Sequence, residues 1–387
     1  MPYNLQKTSD FEEIRPYHDH EVKGVLKNLL SDPAFLKVVA YVFPKWTNEE
    51  INVLLHDVET VKDFQKKLMY PAIHAIADKT IKRLSNSGFD QLSKNESYLF
   101  ISNHRDIILD SAIFNVMLFE AGMDTCEVAI GNNLLVQPWL TDLVKLNKNF
   151  IVHREVPSKK LYEFSLRLSN YIRNSVTMRN SSVWIAQKEG RTKDGNDITQ
   201  AGLLKMLSIS SDSELTDGFK ALNIIPMAVS YEYEPCDFLK TRELVIKKET
   251  GNYKKEADED LKSMLDGITA YKGRFHISLG TSLKDKLEVL KKGTNKNDFM
   301  KELASLINQE IYALYRLWPT NYIAFDLVNN SSLFIDEYSK EEKELFVSHI
   351  ESTIEKTGQP YQKAREILLN IYANPVKNKM GGTDPLS

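Results

Sequence analysis

The chain has 387 residues, of which 42% are hydrophobic and 27% charged, a composition typical of a globular protein with a sizeable core. Its formal net charge of −3 does not favour binding to nucleic acid, so a site for an anion would have to be local. The two cysteines, Cys126 and Cys236, are too few for a disulfide framework and lack the paired spacing of a zinc site.

The N-terminal residues MPYNLQKTSDFEEIRPYHDHEV are polar, and we expect no targeting segment there. The longest apolar stretches, FLKVVAYVF and AIFNVMLFEAG, are interrupted by polar residues. Both are shorter than the roughly 20 apolar residues that a membrane-spanning helix needs. We therefore expect a cytoplasmic protein that meets the inner face of the cell membrane only peripherally.

Helical periodicity dominates the first 90 residues, where apolar side chains recur at positions 22, 25, 26, 29 and 30. Asp32 and Pro33 are typical of the start of a second helix, because an aspartate can cap it and proline suits its first position. Thr47 and Glu50 have the spacing of a capping box at a third. The helical pattern continues to about Gly88, which predicts an N-terminal helical domain at residues 1–90.

Short apolar runs separated by helix-length segments follow: YLFIS, EVAI, FIV, SVWIA, IIPMAVS and FHISLG. This pattern predicts an α/β domain at residues 91–325, with a mostly parallel or mixed central sheet wrapped by helices. Residues 235–272 are highly charged and predict an insertion most of whose charges face solvent. Helical periodicity returns near the end, which predicts a C-terminal helical extension and a loose tail at residues 326–387.

Candidate catalytic side chains follow the first of these runs, YLFIS. His104 comes two residues after it, and two carboxylates, Asp106 and Asp110, come two and six residues after His104. In α/β sheets the ligand crevice lies at the carboxyl ends of the strands. An imidazole there can act as a general base, and a carboxylate can fix its tautomer. The other histidines do not have the spacing of metal ligands, and we predict no metal site.

Two later strand ends carry arginine: Arg154 follows FIV, and Arg191 follows SVWIA beside Glu189 and Gly190. A guanidinium group offers a planar set of donors, and glycine exposes backbone N–H groups. Both features suit a phosphate. These residues are therefore candidates for binding a phosphorylated substrate.

Four segments in this order resemble the glycerol-3-phosphate and 1-acylglycerol-3-phosphate acyltransferases. NHRDIILD resembles the family's His-Asp block, NFIVHRE its phosphate-arginine block, KEGRTKDG its Glu-Gly-Arg block and IIPMAVSYEY its proline block. The segment LYRLWPTNYIAFDL also resembles sequence that follows the catalytic domain in glycerol-3-phosphate members. The chain departs from the family in the distance from His104 to Asp110, which is one residue longer, and from Glu189 to Arg191, which is one shorter.

The resemblance implies that His104 is the general base, oriented by Asp110 or, given the altered spacing, by Asp106. It also implies that Arg154, Glu189, Gly190 and Arg191 bind the phosphorylated acceptor. Pro226 would shape the wall of the acyl pocket.

The implied reaction, in phospholipid biosynthesis, needs no cofactor. An acyl thioester of coenzyme A or acyl carrier protein is the co-substrate, and glycerol-3-phosphate or lysophosphatidate is the acceptor. Two alternatives remain open: acylation of another lipid, such as an aminolipid or a lysolipid, and a non-catalytic lipid- or protein-binding module on the same fold.

Overall fold

The structure is a computed structural model that describes residues 11–256, 258–290 and 295–381. Within these residues, seven strands form one sheet in the order β1-β7-β6-β2-β5-β3-β4. Every neighbouring pair is parallel except β6 and β7, which are antiparallel. The α/β class with a mixed sheet is confirmed. The strands are β1 Ile81–Ser87, β2 Leu99–Ser102, β3 Glu127–Gly131, β4 Asn149–Val152, β5 Val183–Ala186, β6 Ile224–Tyr231 and β7 Gly273–Leu279.

Helices cover both faces of the sheet and continue beyond it. Asp32 caps the second helix with Pro33 in its first turn, and Thr47 and Glu50 form a capping box at the third, as predicted. The helices are α1 Asp19–Ser31, α2 Pro33–Val42, α3 Asn48–His56, α4 Val61–Phe64, α5 Tyr70–Thr80, α6 Leu109–Glu120, α7 Pro138–Leu146, α8 Leu161–Thr177, α9 Ala201–Ser208, α10 Leu215–Lys220, α11 Asp237–Thr250, α12 Glu259–Thr269, α13 Lys284–Val289, α14 Lys296–Leu314, α15 Pro319–Asn329, α16 Lys340–Thr357 and α17 Tyr361–Lys379.

The two faces of the sheet bury different helices. On β2, Phe100 faces a cluster built largely from α1 to α6, whereas Leu99 and Ile101 face a cluster built from α8, α9, α10, α13 and α14. The alternation follows from the two-residue period of side chains along a strand. The helices of the predicted N-terminal domain thus share one hydrophobic cluster with the sheet. A third cluster joins α15, α16 and α17 to α11, and α15 extends across residue 325, where the second predicted boundary lies.

The helical prediction up to Gly88 is wrong for residues 81–87, which form the edge strand β1 and pair with β7. The pairing register shifts between Ile81 and Arg83, and Ile81 and Leu84 are both half-buried. A register shift of this kind interrupts the strict alternation of a strand. Ile81 and Leu84, three residues apart, therefore face the same side, and this spacing is also typical of one face of a helix.

The predicted insertion at residues 235–272 contains α11 and α12, and its charges do not all face solvent. The side chains of Lys240 and Lys272 are 1% exposed, so these two are exceptions to the predicted solvated surface. At the C-terminus, Asn378 and Lys379 of the predicted loose tail belong to α17. Of that tail, NKMGGTDPLS, residues 382–387 lie outside the described residues, as do residues 1–10. In the described part of the chain, every helix is too short or too polar to cross a bilayer.

Candidate active site

His104 lies in the loop between β2 and α6, and its imidazole is hydrogen bonded to a buried carboxylate. The distance from His104 Nδ1 to Asp110 Oδ2 is 2.8 Å. Asp110 lies in the first turn of α6, and its side chain is 1% exposed, whereas that of His104 is 16% exposed. With Asp110 ionised, the proton between them belongs to Nδ1, which leaves Nε2 as the nitrogen that can accept a proton.

Three further donors fix the Asp110 carboxylate. Its Oδ2 accepts hydrogen bonds from the backbone N–H groups of Arg105, at 2.6 Å, and Asp106, at 3.0 Å. Its Oδ1 accepts one from the hydroxyl of Tyr231, at 2.8 Å. Burial alone would raise the pKa of Asp110, but the hydrogen bonds from His104 and the two backbone groups hold that pKa below its ordinary value. The carboxylate therefore stays ionised beside the imidazole.

Asp106, the alternative partner for His104, has a different role. Its Oδ1 accepts hydrogen bonds from the N–H groups of Ile108 and Leu109, both at 2.8 Å, at the start of α6. Its Oδ2 is buried without a hydrogen-bond partner among the described residues. Burial and the nearby carboxylate of Asp110 raise the pKa of Asp106. Asp110, and not Asp106, is thus the carboxylate that contacts His104.

Asp106→Asn should raise the free energy of unfolding at neutral pH, because an amide carries no charge to desolvate and can still cap the helix. Because the folded state raises the pKa of Asp106, the ionised carboxylate destabilises the fold above that pKa. Below the unfolded value of about 3.9 both states are protonated, and the gain should vanish. Urea denaturation at a series of pH values measures this, and a gain that does not change with pH would contradict the explanation.

The loop after β5, from Gln187 to Gln200, lies beside His104. The N–H of Thr192 donates to the backbone oxygen of His104, at 2.8 Å. The adjacent Arg191 is only 8% exposed, and its Nη1 has no hydrogen-bond partner among the described residues. A buried guanidinium group without a full set of partners is costly, and an anion would satisfy it. Gly190 has a φ of +70°, in the left-handed region that favours glycine, and space around its Cα is open.

Arg154 follows β4, and its side chain reaches back toward the same loop to form an ion pair with Glu189. Neighbouring strands lie about 4.8 Å apart, so the backbone of Arg154, three strands from β2, is about 14 Å along the sheet from that of His104. Arg154 and Glu189 line a cavity of about 230 Å³ together with Arg167 of α8. Glu189 is 68% exposed and Arg154 28%, so an incoming anion can replace the carboxylate of Glu189.

Pro226 is not at a strand end. It lies inside β6, buried, opposite Ile101 of β2. Its backbone oxygen accepts a hydrogen bond from Gly280, at 2.8 Å, just before the β6 and β7 ladder begins with Met227 opposite Leu279. Proline cannot donate to a ladder, so this position at the margin of the pairing suits it. Its role here is in the sheet, and the predicted role in an acyl pocket remains a prediction.

Sequence reasoning missed Tyr231, Arg105 and Asp197. Tyr231 ends β6 and contacts Asp110 across 121 positions of sequence. The rule of examining strand ends would have included Tyr231, but the pattern gave no reason to prefer it. Arg105 and Asp197 form a buried ion pair with 2.6 Å between Nη2 and Oδ2, which joins the His104 loop to the loop after β5.

Both cysteines are buried free thiols. Burial raises the pKa of the Cys126 thiol and that of the Cys236 thiol, the latter to about 11, so neither is a thiolate at neutral pH. In residues 11–256, 258–290 and 295–381, no three His, Cys, Asp or Glu side chains are grouped so that they could hold a metal ion.

Comparison with known proteins adds a fold likeness. No family model matches the chain, and no curated protein matches it in sequence. Among solved structures, the chain is similar to the 1-acyl-sn-glycerophosphate (LPA) acyltransferase PlsC from Thermotoga maritima. Sequence identity is 11% and the TM-score 0.36, over 74% of this chain and 95% of that chain. A likeness of this size carries no information on function, which has to be argued from the site itself.

Proposed function

We propose that the chain is an O-acyltransferase that moves a fatty acyl group from a thioester to the hydroxyl of a phosphorylated glycerol. The observation that carries the proposal is the His104 and Asp110 pair, at 2.8 Å, beside the buried and incompletely paired Arg191. The pair supplies a base and the arginine an anion site. The order of the four sequence segments, with their resemblance to glycerolipid acyltransferases, supports the same function.

In the proposed reaction, His104 Nε2 takes the proton of the acceptor hydroxyl as its oxygen attacks the thioester carbonyl carbon. The tetrahedral intermediate then collapses, the carbon–sulfur bond breaks, and the leaving thiolate takes the proton from the imidazolium. Asp110 stabilises the imidazolium between these steps. A general base contributes about 10²- to 10⁴-fold, so the positioning of the acceptor must supply much of the rest.

Arg191 and Arg154 would hold the phosphate of the acceptor, which is either glycerol-3-phosphate or 1-acylglycerol-3-phosphate. The donor would be a thioester of coenzyme A or of acyl carrier protein. Because the acyl chain and the product are lipids, we propose that the protein contacts the membrane peripherally.

An acyl transfer assay tests the proposal. The purified chain is mixed with an acyl thioester and either glycerol-3-phosphate or lysophosphatidate, and the released thiol and the acylated product are measured together. We expect thiol release that depends on one of the two acceptors. Thiol release only with an aminolipid or with a lysolipid other than lysophosphatidate would mean that the chain is an acyltransferase for a different acceptor. No thiol release with any acceptor would favour a non-catalytic binding module.

Arg154→Ala should raise the Michaelis constant for the phosphorylated acceptor by about 10- to 100-fold, because a hydrogen bond to a charged group contributes about 1.5–3 kcal/mol. Turnover at saturation should change little. Arg167→Ala is the matched control, because Arg167 lines the same cavity but pairs with Glu13. An unchanged constant in Arg154→Ala, or an equal rise in Arg167→Ala, would remove the role given to Arg154.

A further inference from the structure

A buried carboxylate, Asp197, contacts both chain neighbours of His104. Its Oδ2 accepts hydrogen bonds from Nη2 of Arg105, at 2.6 Å, and from Nδ2 of Asn103, at 3.2 Å. Asn103 is also hydrogen bonded through its side chain to the backbone of Val229 in β6, at 2.8 and 2.9 Å. The side chains on either side of His104 are thus both bound by one carboxylate that belongs to the loop after β5.

The same carboxylate holds that loop against helix α14. Its Oδ2 accepts a hydrogen bond from the hydroxyl of Tyr315, at 2.5 Å, just beyond the end of α14. The hydroxyl of Tyr312 donates to the backbone oxygen of Asp197, also at 2.5 Å. Two residues further along, the N–H of Thr199 donates to the side chain of Asn308, at 2.8 Å. The loop that carries Arg191 is therefore anchored at Asp197.

The contact is between charges that are costly to bury. Asp197 is fully buried and Arg105 is 4% exposed. Burial alone would lower the pKa of Arg105, but the carboxylates of Asp197 and Glu234 raise it above its ordinary value. A buried ion pair contributes little net stability compared with an apolar pair of the same size. What it does provide is a fixed geometry between the two loops that it joins.

We infer that Asp197 is a positioning residue. It fixes the His104 loop relative to the Arg191 loop, so that the imidazole of His104 lies next to the hydroxyl of an acceptor bound at Arg191. The inference rests on the proposed function, because the placement of one loop relative to the other affects turnover only if a single substrate contacts both loops. Arg191 lies in the same loop as Asp197. Two further hydrogen bonds join this loop to the His104 loop: the N–H of Thr192 donates to the backbone oxygen of His104, at 2.8 Å, and Nη2 of Arg105 donates to that of Gly195, at 3.4 Å. Without the Asp197 carboxylate, the His104 and Asp110 pair keeps its own contacts and so does Arg191, but we expect the distance between His104 and Arg191 to change.

Asp197→Asn should therefore lower turnover by about 10²-fold, since a displacement of about 1 Å can have an effect of that size. Binding of inorganic phosphate, measured by calorimetric titration, should be unchanged, because the contacts of Arg191 and Arg154 remain. Asp326→Asn is the matched control: it neutralises another buried carboxylate that accepts a hydrogen bond from a tyrosine, Tyr338, at 2.9 Å, and that lies in α15 and not in either loop. It should keep the turnover of the unaltered chain.

A second readout does not depend on acyl transfer. In the unaltered chain, nitrogen-15 NMR of the imidazole should report a proton on Nδ1 of His104, and Asp197→Asn should shift or broaden that signal. If Asp197→Asn does not fold, Tyr315→Phe replaces it, because it removes one donor to the same oxygen and keeps the ion pair. We expect Tyr315→Phe to lower turnover by about tenfold, the effect of one hydrogen bond of about 1.4 kcal/mol.

If Asp197→Asn folds and both its turnover and its His104 NMR signal are unchanged, the inference is wrong. If Asp197→Asn does not fold, the same two results for Tyr315→Phe would overturn the inference. A rise in the Michaelis constant without a fall in turnover would overturn it too. If the unaltered chain releases no thiol, the proposed function fails, while the NMR signal still reports whether Asp197 positions His104.

Discussion

His104→Ala should lower the turnover of acyl transfer by about 10²- to 10⁴-fold, the contribution of a general base. The methyl group cannot take the proton of the acceptor hydroxyl, and Asp110 is too buried to replace the imidazole. The fold should persist, because only an edge contact with Trp184 is lost and the Asp110 carboxylate keeps its three other hydrogen-bond donors. The measurement is thiol release at saturating donor and acceptor, with circular dichroism to check the fold.

The chain contains a matched control for this variant. His349 Nε2 lies 2.7 Å from Asp237 Oδ2, so this second pair also joins an imidazole to a carboxylate, here between helices α16 and α11. His349→Ala should keep its turnover within a small factor of the unaltered chain. Full activity in His104→Ala would exclude His104 as the base. An equal loss in both variants would mean that the effect comes from stability.

Asp110→Asn should lower turnover by about 10²- to 10⁴-fold, although it changes one atom. An amide cannot stabilise the imidazolium as a carboxylate does, and it can leave the imidazole in the wrong tautomer. In one orientation the amide N–H₂ would meet the hydroxyl of Tyr231, and in the other it would meet the two backbone N–H groups. We expect the Michaelis constants to change little, because Asp110 does not contact a substrate.

Asp106→Asn is the control for Asp110→Asn, since the two carboxylates lie in the same turn and only Asp110 contacts His104. It should retain most of the turnover. The comparison decides between the two candidates that the sequence left open. A large loss in Asp106→Asn together with a small loss in Asp110→Asn would reverse their assignment, and small losses in both would reject a carboxylate partner for His104.

Local patterns predicted much of the fold because the relevant interactions are local. The six apolar runs all became strands, and the caps at Asp32 and Thr47 formed, since each depends on residues within four positions. Strand β1 was missed for the same reason. Its register shift gives Ile81 and Leu84 a helical spacing, and only pairing with β7, far away in sequence, makes it a strand.

The candidate site divides in the same way. His104 and both arginines were found because they follow strands, and strand ends share one edge of a parallel sheet. The distant partners that fix the His104 loop were not predicted. Tyr231 reaches Asp110 from 121 positions away and Asp197 reaches Arg105 from 92, and no short pattern records such contacts. The spacing of Asp106 and Asp110 left their roles open because a cap and an orienting carboxylate require the same residue type.

The pairing of β1 with β7 also has a consequence for synthesis of the chain. Ser85 donates to the backbone oxygen of Phe275, 190 positions later, so β1 has no partner while the intervening residues are made. Strand β6 likewise lacks its outer neighbour until β7 emerges. Unpaired strand edges favour association between chains. A ribosome-bound chain that ends before residue 273 should therefore aggregate more readily than one that includes β7.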